Sequence, residues 1–224
     1  MYHIFFQYGI VEVCNQEERG ERKNMERERN RTCKENQERQ VTTMEKWMIA
    51  SDIHGSAANC AKLLAKYKEE NAERLILLGD LLYHGPRNDL PEEYAPKEVI
   101  RMLNEVKNEL ICVRGNCEAE VDQMVLEFPV LADYAILCVD GIQIFATHGH
   151  HYNKTSLPPM KPGDILLHGH THVTALEDNG SYYYLNPGSV SIPKDGTKKS
   201  YLIYENRRFT LKTLDGEVQE SLTV

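Results

Sequence analysis

From Trp47 onward the chain alternates short apolar runs with amphipathic stretches, and the two rhythms follow a regular order. Trp47-Met48-Ile49-Ala50 is an apolar run that predicts a strand leading into Ser51-Asp52. Ser56 is a residue type that caps helices through its hydroxyl. Beyond it Cys60, Leu63, Leu64 and Tyr67 recur at i, i+3, i+4 and i+7, which predicts a helix to about Glu70. The run Leu75-Ile76-Leu77-Leu78 offers no polar position for a wet face, as expected of a strand buried on both sides. Pro96 suits the first turn of a second helix, with Val99, Ile100, Leu103 and Val106 on one face. Leu110–Val113 is the third strand, and the β-α-β-α-β order implies parallel neighbours joined by right-handed crossovers.

The second half is rich in strands. Tyr134–Val139 and Ile142–Thr147 flank Asp140-Gly141, a strong two-residue hairpin signal. Further strands are predicted at Ile165–Leu167, Ser181–Leu185, Ser200–Tyr204 and Phe209–Thr213. Residues 15–43 break the pattern: apart from Met25, Cys33 and Val41 nothing there can enter a core. Such a segment cannot bury enough apolar area to offset its ordering entropy, so residues 1–43 are expected to be a polar, disordered extension. Met44 stands directly before the first core strand, which makes residues 1–43 readable as an over-extended reading frame. Residues 44–224 are then one folded domain, within the usual size of a single domain.

Composition narrows the class. An apolar share of 41% supports a globular core, and no apolar run approaches the roughly 20 residues that span a bilayer. Ile4-Phe5-Phe6 has neither the basic flank nor the cleavage site of a signal peptide, so a cytoplasmic location with no membrane partner is expected. The six cysteines, at 14, 33, 60, 112, 117 and 138, form no C-x-x-C pair, and Cys60, Cys112 and Cys138 read as small buried hydrophobes. The net charge is −8; residues 1–43 hold eight basic and eight acidic residues, so the whole excess belongs to residues 44–224. An acidic domain repels polyanions, which argues against a nucleic-acid groove.

The polar residues that interrupt this apolar pattern carry the chemistry. Five short motifs read Ser51-Asp52-Ile53-His54, Leu78-Gly79-Asp80, Arg114-Gly115-Asn116-Cys117, Thr147-His148-Gly149-His150 and His168-Gly169-His170-Thr171-His172. Eight of the nine histidines lie between His54 and His172. Each motif follows a predicted strand, where α/β sheets place their sites. Asp52 and His54, two apart on an extended loop, can face one ion together. Asp80 has two carboxylate oxygens and can bridge two ions, with Gly79 easing the backbone turn before it. Asn116 offers a neutral oxygen and limits the negative charge. His170 and His172 can serve one ion each. Two divalent ions about 3.5–4 Å apart are a recurring device for breaking phosphate esters, and a small phosphate ester suits an acidic domain better than a polymer does.

In order and wording these motifs resemble the calcineurin-like metallophosphoesterases, from about Met44 to the C-terminus. The resemblance implies an α/β sandwich of two packed mixed β-sheets flanked by helices. It implies a metal-dependent phosphodiesterase that hydrolyses small phosphate diesters through a dinuclear centre and a bridging hydroxide. Metal one would take Asp52, His54, Asp80 and His172; metal two would take Asp80, Asn116, His148 and His170. Mn²⁺ suits this mixed set best, with Fe, Ni or Zn as alternatives. A phosphomonoesterase or a nuclease on the same core are the other readings; a nuclease would need a basic groove or cap, and none is evident. A non-catalytic scaffold would have lost the ligand histidines, which are all present.

Two features refine the resemblance. Family members commonly carry a histidine directly after the asparagine ligand, and this chain has Cys117 there, a weak donor without positive charge. His84 could fill that gap from another loop. Arg87, in Tyr83-His84-Gly85-Pro86-Arg87-Asn88, could meet phosphate oxygens in bidentate fashion, or could be a surface residue of a rigid connector. His150 could contact phosphate, or be a hydrogen-bonded loop histidine. Together with Asn186-Pro187-Gly188-Ser189-Val190-Ser191-Ile192-Pro193-Lys194, these features are similar to a subfamily of small bacterial phosphodiesterases. Whether the chain forms a homo-oligomer is left open.

Overall fold

The computed structural model describes residues 45–224; the expectations for the polar segment 1–43 lie outside the described residues. Two mixed sheets pack face to face. The first has the strand order β11-β10-β9-β1-β2-β3 and the second β4-β5-β6-β8-β7. In the first sheet, β1 (Trp47–Ala50), β2 (Arg74–Leu77) and β3 (Leu110–Cys112) run parallel. They continue antiparallel into β9 (Ser200–Glu205), β10 (Arg208–Thr213) and β11 (Val218–Thr223). The crossovers between the parallel strands carry α1 (Ala57–Glu70) and α2 (Pro96–Glu105), as the apolar periodicity predicts.

Strand period 2 divides the first sheet between two cores. Met48, Ala50, Leu75, Leu77, Tyr201 and Ile203 face the helices, where Cys60, Leu63, Leu64, Tyr67, Val99 and Leu103 meet them. Trp47, Ile49, Ile76, Leu202 and Tyr204 face the second sheet and pack on Val139, Ile144, Ala146, Ile165 and Leu185. Because both faces are covered, β1 and the Leu75–Leu77 part of β2 carry no polar position. Ser56 caps α1, accepting from the Asn59 amide at 3.4 Å, and Asn71 ends it in the left-handed conformation.

The second sheet is built from β4 (Tyr134–Val139), β5 (Ile142–Thr147), β6 (Ile165–Leu167), β7 (Thr174–Asp178) and β8 (Tyr183–Pro187). The β4–β5 turn has φ 49° at Asp140 and 77° at Gly141, the doubly positive geometry that an Asp-Gly hairpin provides. The outer face of this sheet bears loop residues, with Tyr152 and Met160 packed on Phe145, Leu166 and Tyr184.

Three expectations change. Cys138 is exposed rather than buried, because on β4 the residues facing the other sheet are Ala135, Leu137 and Val139. The strand predicted from Ser181 begins at Tyr183, since Asn179–Tyr182 form the turn that links it to β7. Strands β7 and β11 have no counterpart in the sequence reading. Both are edge strands with mostly partial burial, so neither carries a strong apolar period.

Candidate metal centre

Seven polar side chains from the loops after β1, β2, β3, β5 and β6 converge at one end of the sandwich. The loops after β1 and β2 keep bonding past their strands: the Asp52, His54 and Gly55 amides donate to the Gly79, Asp80 and Leu81 carbonyls at 3.1, 2.8 and 2.8 Å. The convergence does not come from an extended chain, as the sequence reading supposed. Asp52, His54, Asp80, His170 and His172 all adopt positive φ, from 49° to 67°. Such conformations favour Asp, Asn and His among non-glycine residues and cluster where a structure over-determines them. Gly79, at φ 92°, is required for a second reason: a Cβ there would fall 2.4 Å from the Gly115 nitrogen, so the Asp80 and Asn116 loops could not meet.

The seven residues fall into two groups joined by Asp80. In the first, Asp52 Oδ1 lies 3.1 Å from His172 Nε2 and 3.4 Å from His54 Nε2, and the two Nε2 atoms are 3.2 Å apart. In the second, His148 Nε2 lies 3.0 Å from Asn116 Oδ1 and 3.1 Å from His170 Nδ1. Asp80 turns Oδ2 toward His54 Nε2 (3.6 Å) and Oδ1 toward His148 Nε2 (3.5 Å). Apart from Asn116 and His170, these side chains are almost fully buried.

Three of the imidazoles are aimed from behind. The Nδ1 atoms of His54, His148 and His172 sit 2.7, 2.7 and 2.8 Å from the carbonyl oxygens of Tyr83, Leu78 and Ile192. A carbonyl only accepts, so each Nδ1 carries the hydrogen and each Nε2 faces the centre, the arrangement usual for metal-binding histidine. At most one proton fits between His54 Nε2 and His172 Nε2. Asp52 Oδ1 is buried with no hydrogen-bond partner. The His170 and Cys117 amides donate to Asp52 Oδ2 and Asp80 Oδ1 at 3.0 and 2.9 Å. The side chains themselves turn mostly acceptors toward one another, which fits cations, and a mix of imidazole, carboxylate and amide oxygen fits a divalent transition ion.

The electrostatics agree. Burial opposes charge on Asp52, yet the imidazoles of His172 and His54 pull its carboxyl well below the usual range. Asp80 is likewise lowered against burial, chiefly by His148. Burial also works against charge on His148, but Asp80 and Asp52 outweigh it and raise the imidazole to about 9. His54 is raised in the same way by Asp52 and Asp80. Protons are drawn to His54 and His148, whereas burial and the nearby His148 lower His170.

The calcineurin-like phosphoesterase superfamily domain matches residues 46–208. The chain belongs to the calcineurin-like phosphoesterase superfamily. The phosphodiesterase YfcE of Escherichia coli is 47% identical over 163 residues, which cover 73% of this chain and 89% of that one. The phosphodiesterase MJ0936 of Methanocaldococcus jannaschii is 26% identical over 148 residues, covering 62% of this chain and 81% of its own. The solved structure of Yfce, a phosphoesterase from E. coli, matches with a TM-score of 0.78 at 43% identity, covering 80% of this chain and 98% of that chain. Vps29 of Entamoeba histolytica, solved with Zn²⁺, shares the fold at a TM-score of 0.52 and 20% identity, covering 79% and 98%. Among the described residues no helix is long and apolar enough to cross a membrane.

Around this cluster the other candidate residues separate. Arg87 and Cys117 line the small cavity above Asp80, together with Asn116, His170 and His172. Cys117 Sγ also comes within ligand range of His54 and Asp80; burial and Asp80 push its thiol up, so it stays protonated at neutral pH. His150 does not line this cavity. It lines an adjoining one, and burial with His148 nearby lowers its imidazole to about 4. His84 lines neither cavity: its ring is held edge-on by Tyr83 and Tyr94 at 4.7 and 5.2 Å.

The sequence reading assigned no role to five residues around the cluster. Glu118, 5% exposed, accepts from the backbone amides of Asp80 (2.9 Å), Leu81 (2.7 Å) and Gly115 (2.5 Å), tying the β2 and β3 loops together. Burial and the adjacent Asp80 push its carboxyl up to about 7, while the three amides favour the charge. Ser189 and Ser191 both donate to the Asp52 carbonyl, at 2.8 and 2.9 Å, and Asn186 donates to the Gly169 carbonyl at 3.0 Å. Lys194 lines the cavity above Asp80, its amide bonded to the His172 carbonyl at 3.0 Å. All but Glu118 lie in the Asn186–Lys194 segment, quoted above without a role for any residue; Glu118 had no signal beyond its place two residues after Asn116.

Proposed function

We propose that the chain is a phosphodiesterase that hydrolyses small phosphate diesters with two divalent ions. Asp52, His54, Asp80 and His172 would hold one ion; Asp80, Asn116, His148 and His170 would hold the other. The observation that carries this reading is Asp80, whose two oxygens face the two imidazole groups separately, Oδ2 toward His54 and Oδ1 toward His148. When bound, such a pair supplies Lewis-acid charge and acidifies water near neutral pH. Mn²⁺ suits the donor set best, with Fe, Ni and Zn as alternatives.

The remaining work falls to the protein. Arg87 and Lys194 bring two cations to the cavity where phosphate oxygens would lie, and Arg87 can grip two of them at once. Cys117, neutral beside Asp80, adds no positive charge where the family commonly has histidine. A monoester dianion gains most from each added cation, so this substitution favours the monoanionic diester. The names of the relatives YfcE and MJ0936 support the same choice. The net charge of −8 disfavours a nucleic-acid polymer.

The test is elemental analysis with a panel of mono- and diesters. Chelation should abolish turnover and Mn²⁺ restore it. Asp80→Asn should lower both metal content and turnover by orders of magnitude, while His151→Ala leaves both near wild type. Full activity in chelated protein would overturn the two-ion reading.

A further inference from the structure

The cavity above Asp80 is small, about 50 Å³. On the same measure one water needs roughly 10–15 Å³, so the space holds only a few waters, about the bulk of a phosphoryl group. A diester carries two alcohol arms, and at least one of them must lie elsewhere. A second cavity, of about 340 Å³, shares His170 with the first. Its wall also carries His150, whose ring centre is 5.4 Å from that of His148 and 6.3 Å from that of His170. The path from the reacting phosphate into this space is therefore one imidazole wide.

The chemistry of the wall narrows what it holds. Tyr184 contributes a ring, and the Lys154 ammonium sits 4.9 Å above it. That ammonium is paired with Glu177 at 2.6 Å, so it brings no net charge. The amide and hydroxyl side chains are engaged within the wall. Asn153 Oδ1 accepts from the Thr155 amide and hydroxyl and from the Ser156 amide, and Asn153 Nδ2 donates to the Gly149 carbonyl. Thr171 Oγ1 accepts from Asn186. What remains is the rings of His150, His168, His170 and Tyr184, two buried imidazole nitrogens without a partner (His150 Nδ1 and His168 Nε2), and no free cation for a second phosphate.

We propose that this second cavity seats one ester arm of the substrate and selects a flat, uncharged ring there. The assignment rests on the phosphodiesterase reading. It makes the natural substrate a diester with an aromatic or heteroaromatic arm, and it counts against pyrophosphates and bis-phosphorylated alcohols.

The experiment uses the full chain loaded with Mn²⁺ and two phosphinates that have no ester bond to cleave. Calorimetry should show diphenylphosphinate binding at least about 10-fold tighter than dimethylphosphinate, the scale of one stacked ring. Thr155 is exposed on the rim and takes no part in the reaction cavity. Thr155→Trp, which fills the space, should remove the preference and leave the dimethylphosphinate Kd unchanged; Thr155→Ala should keep the preference. Equal affinities in the wild type, a preference that survives Thr155→Trp, or one lost equally in Thr155→Ala would overturn the proposal. Hydrolysis of bis(4-nitrophenyl) phosphate without ring-selective binding sinks this proposal alone. Ring-selective binding without hydrolysis sinks the phosphodiesterase reading alone.

Discussion

Glu118→Ala should damage the centre without touching a metal ligand. The carboxylate accepts from three buried backbone amides, and alanine leaves all three without a partner. Each orphaned buried donor costs about 1–3 kcal/mol, roughly 3–9 kcal/mol in all. Against this stands relief from keeping a charge beside Asp80. The carboxyl sits near 7 instead of 4.5, a penalty of roughly 3 kcal/mol. The net loss is about 0–6 kcal/mol, which at this chain length lowers Tm by up to roughly 20 °C. Glu118→Gln should cost less: with its oxygen at the Oε2 position it keeps the Asp80 and Gly115 amides and loses only Leu81. Because Asp80 leans on this bond, Mn²⁺ affinity should fall about 10–100-fold in the alanine variant, as for other groups that orient ligands. Thermal unfolding of metal-free protein and calorimetric Mn²⁺ titration read the two effects. Wild-type Tm and wild-type affinity in Glu118→Ala would refute the reasoning.

Two other outcomes follow from the centre. In metal-free protein His148 is raised from 6.5 to about 9, so its contribution to stability is complete below pH 6.5 and is lost as pH rises through 9. Mn²⁺ needs that imidazole unprotonated, so Mn²⁺ affinity should rise by up to tenfold per pH unit between 7 and 9; affinity independent of pH there, by titration at three pH values, would refute the assignment. Cys117→His should raise turnover on diesters with poor leaving groups more than on those with good ones, since general-acid help is worth about 10²–10⁴-fold where the departing oxygen needs a proton. The slope of log turnover against leaving-group pKa reads this, and identical slopes would remove position 117 from leaving-group departure.

Much of this arrangement was legible in the chain because the physics that sets it is local. The apolar spacing of Cys60, Leu63, Leu64 and Tyr67 gives α1, and the unbroken Leu75–Leu78 run gives a strand covered on both faces. Asp140-Gly141 sets the hairpin by backbone preference alone. The seven polar residues that end strands meet because parallel strands of one sheet, and the parallel β5 and β6 of the other, finish at the same end. Less legible was whatever depends on residues far apart in sequence. Glu118 is an ordinary acidic residue until three amides are seen around it. His84 and His150 look alike as loop histidines, yet one is packed between tyrosines and the other lines a cavity. Strands β7 and β11 have one neighbour each, so their sequences need no apolar face.

The backbone of the centre explains why so much of the molecule is tied to it. Asp52, His54, Asp80, His170 and His172 are left-handed without being glycine, and a left-handed L-residue costs about 1–2 kcal/mol. Five of them together cost about 5–10 kcal/mol, as much as the whole net stability of many domains. That cost must be met by neighbours that hold the loops, and the structure supplies them in series. Ser189 and Ser191 fix the Asp52 carbonyl, Asn186 fixes Gly169, and Glu118 fixes Asp80. Each of these contacts acts on backbone, not on the ligating atoms, so each is satisfied whether or not a cation is present. The arrangement of the seven side chains is therefore held by the fold itself, and a bound ion would not have to order the loops.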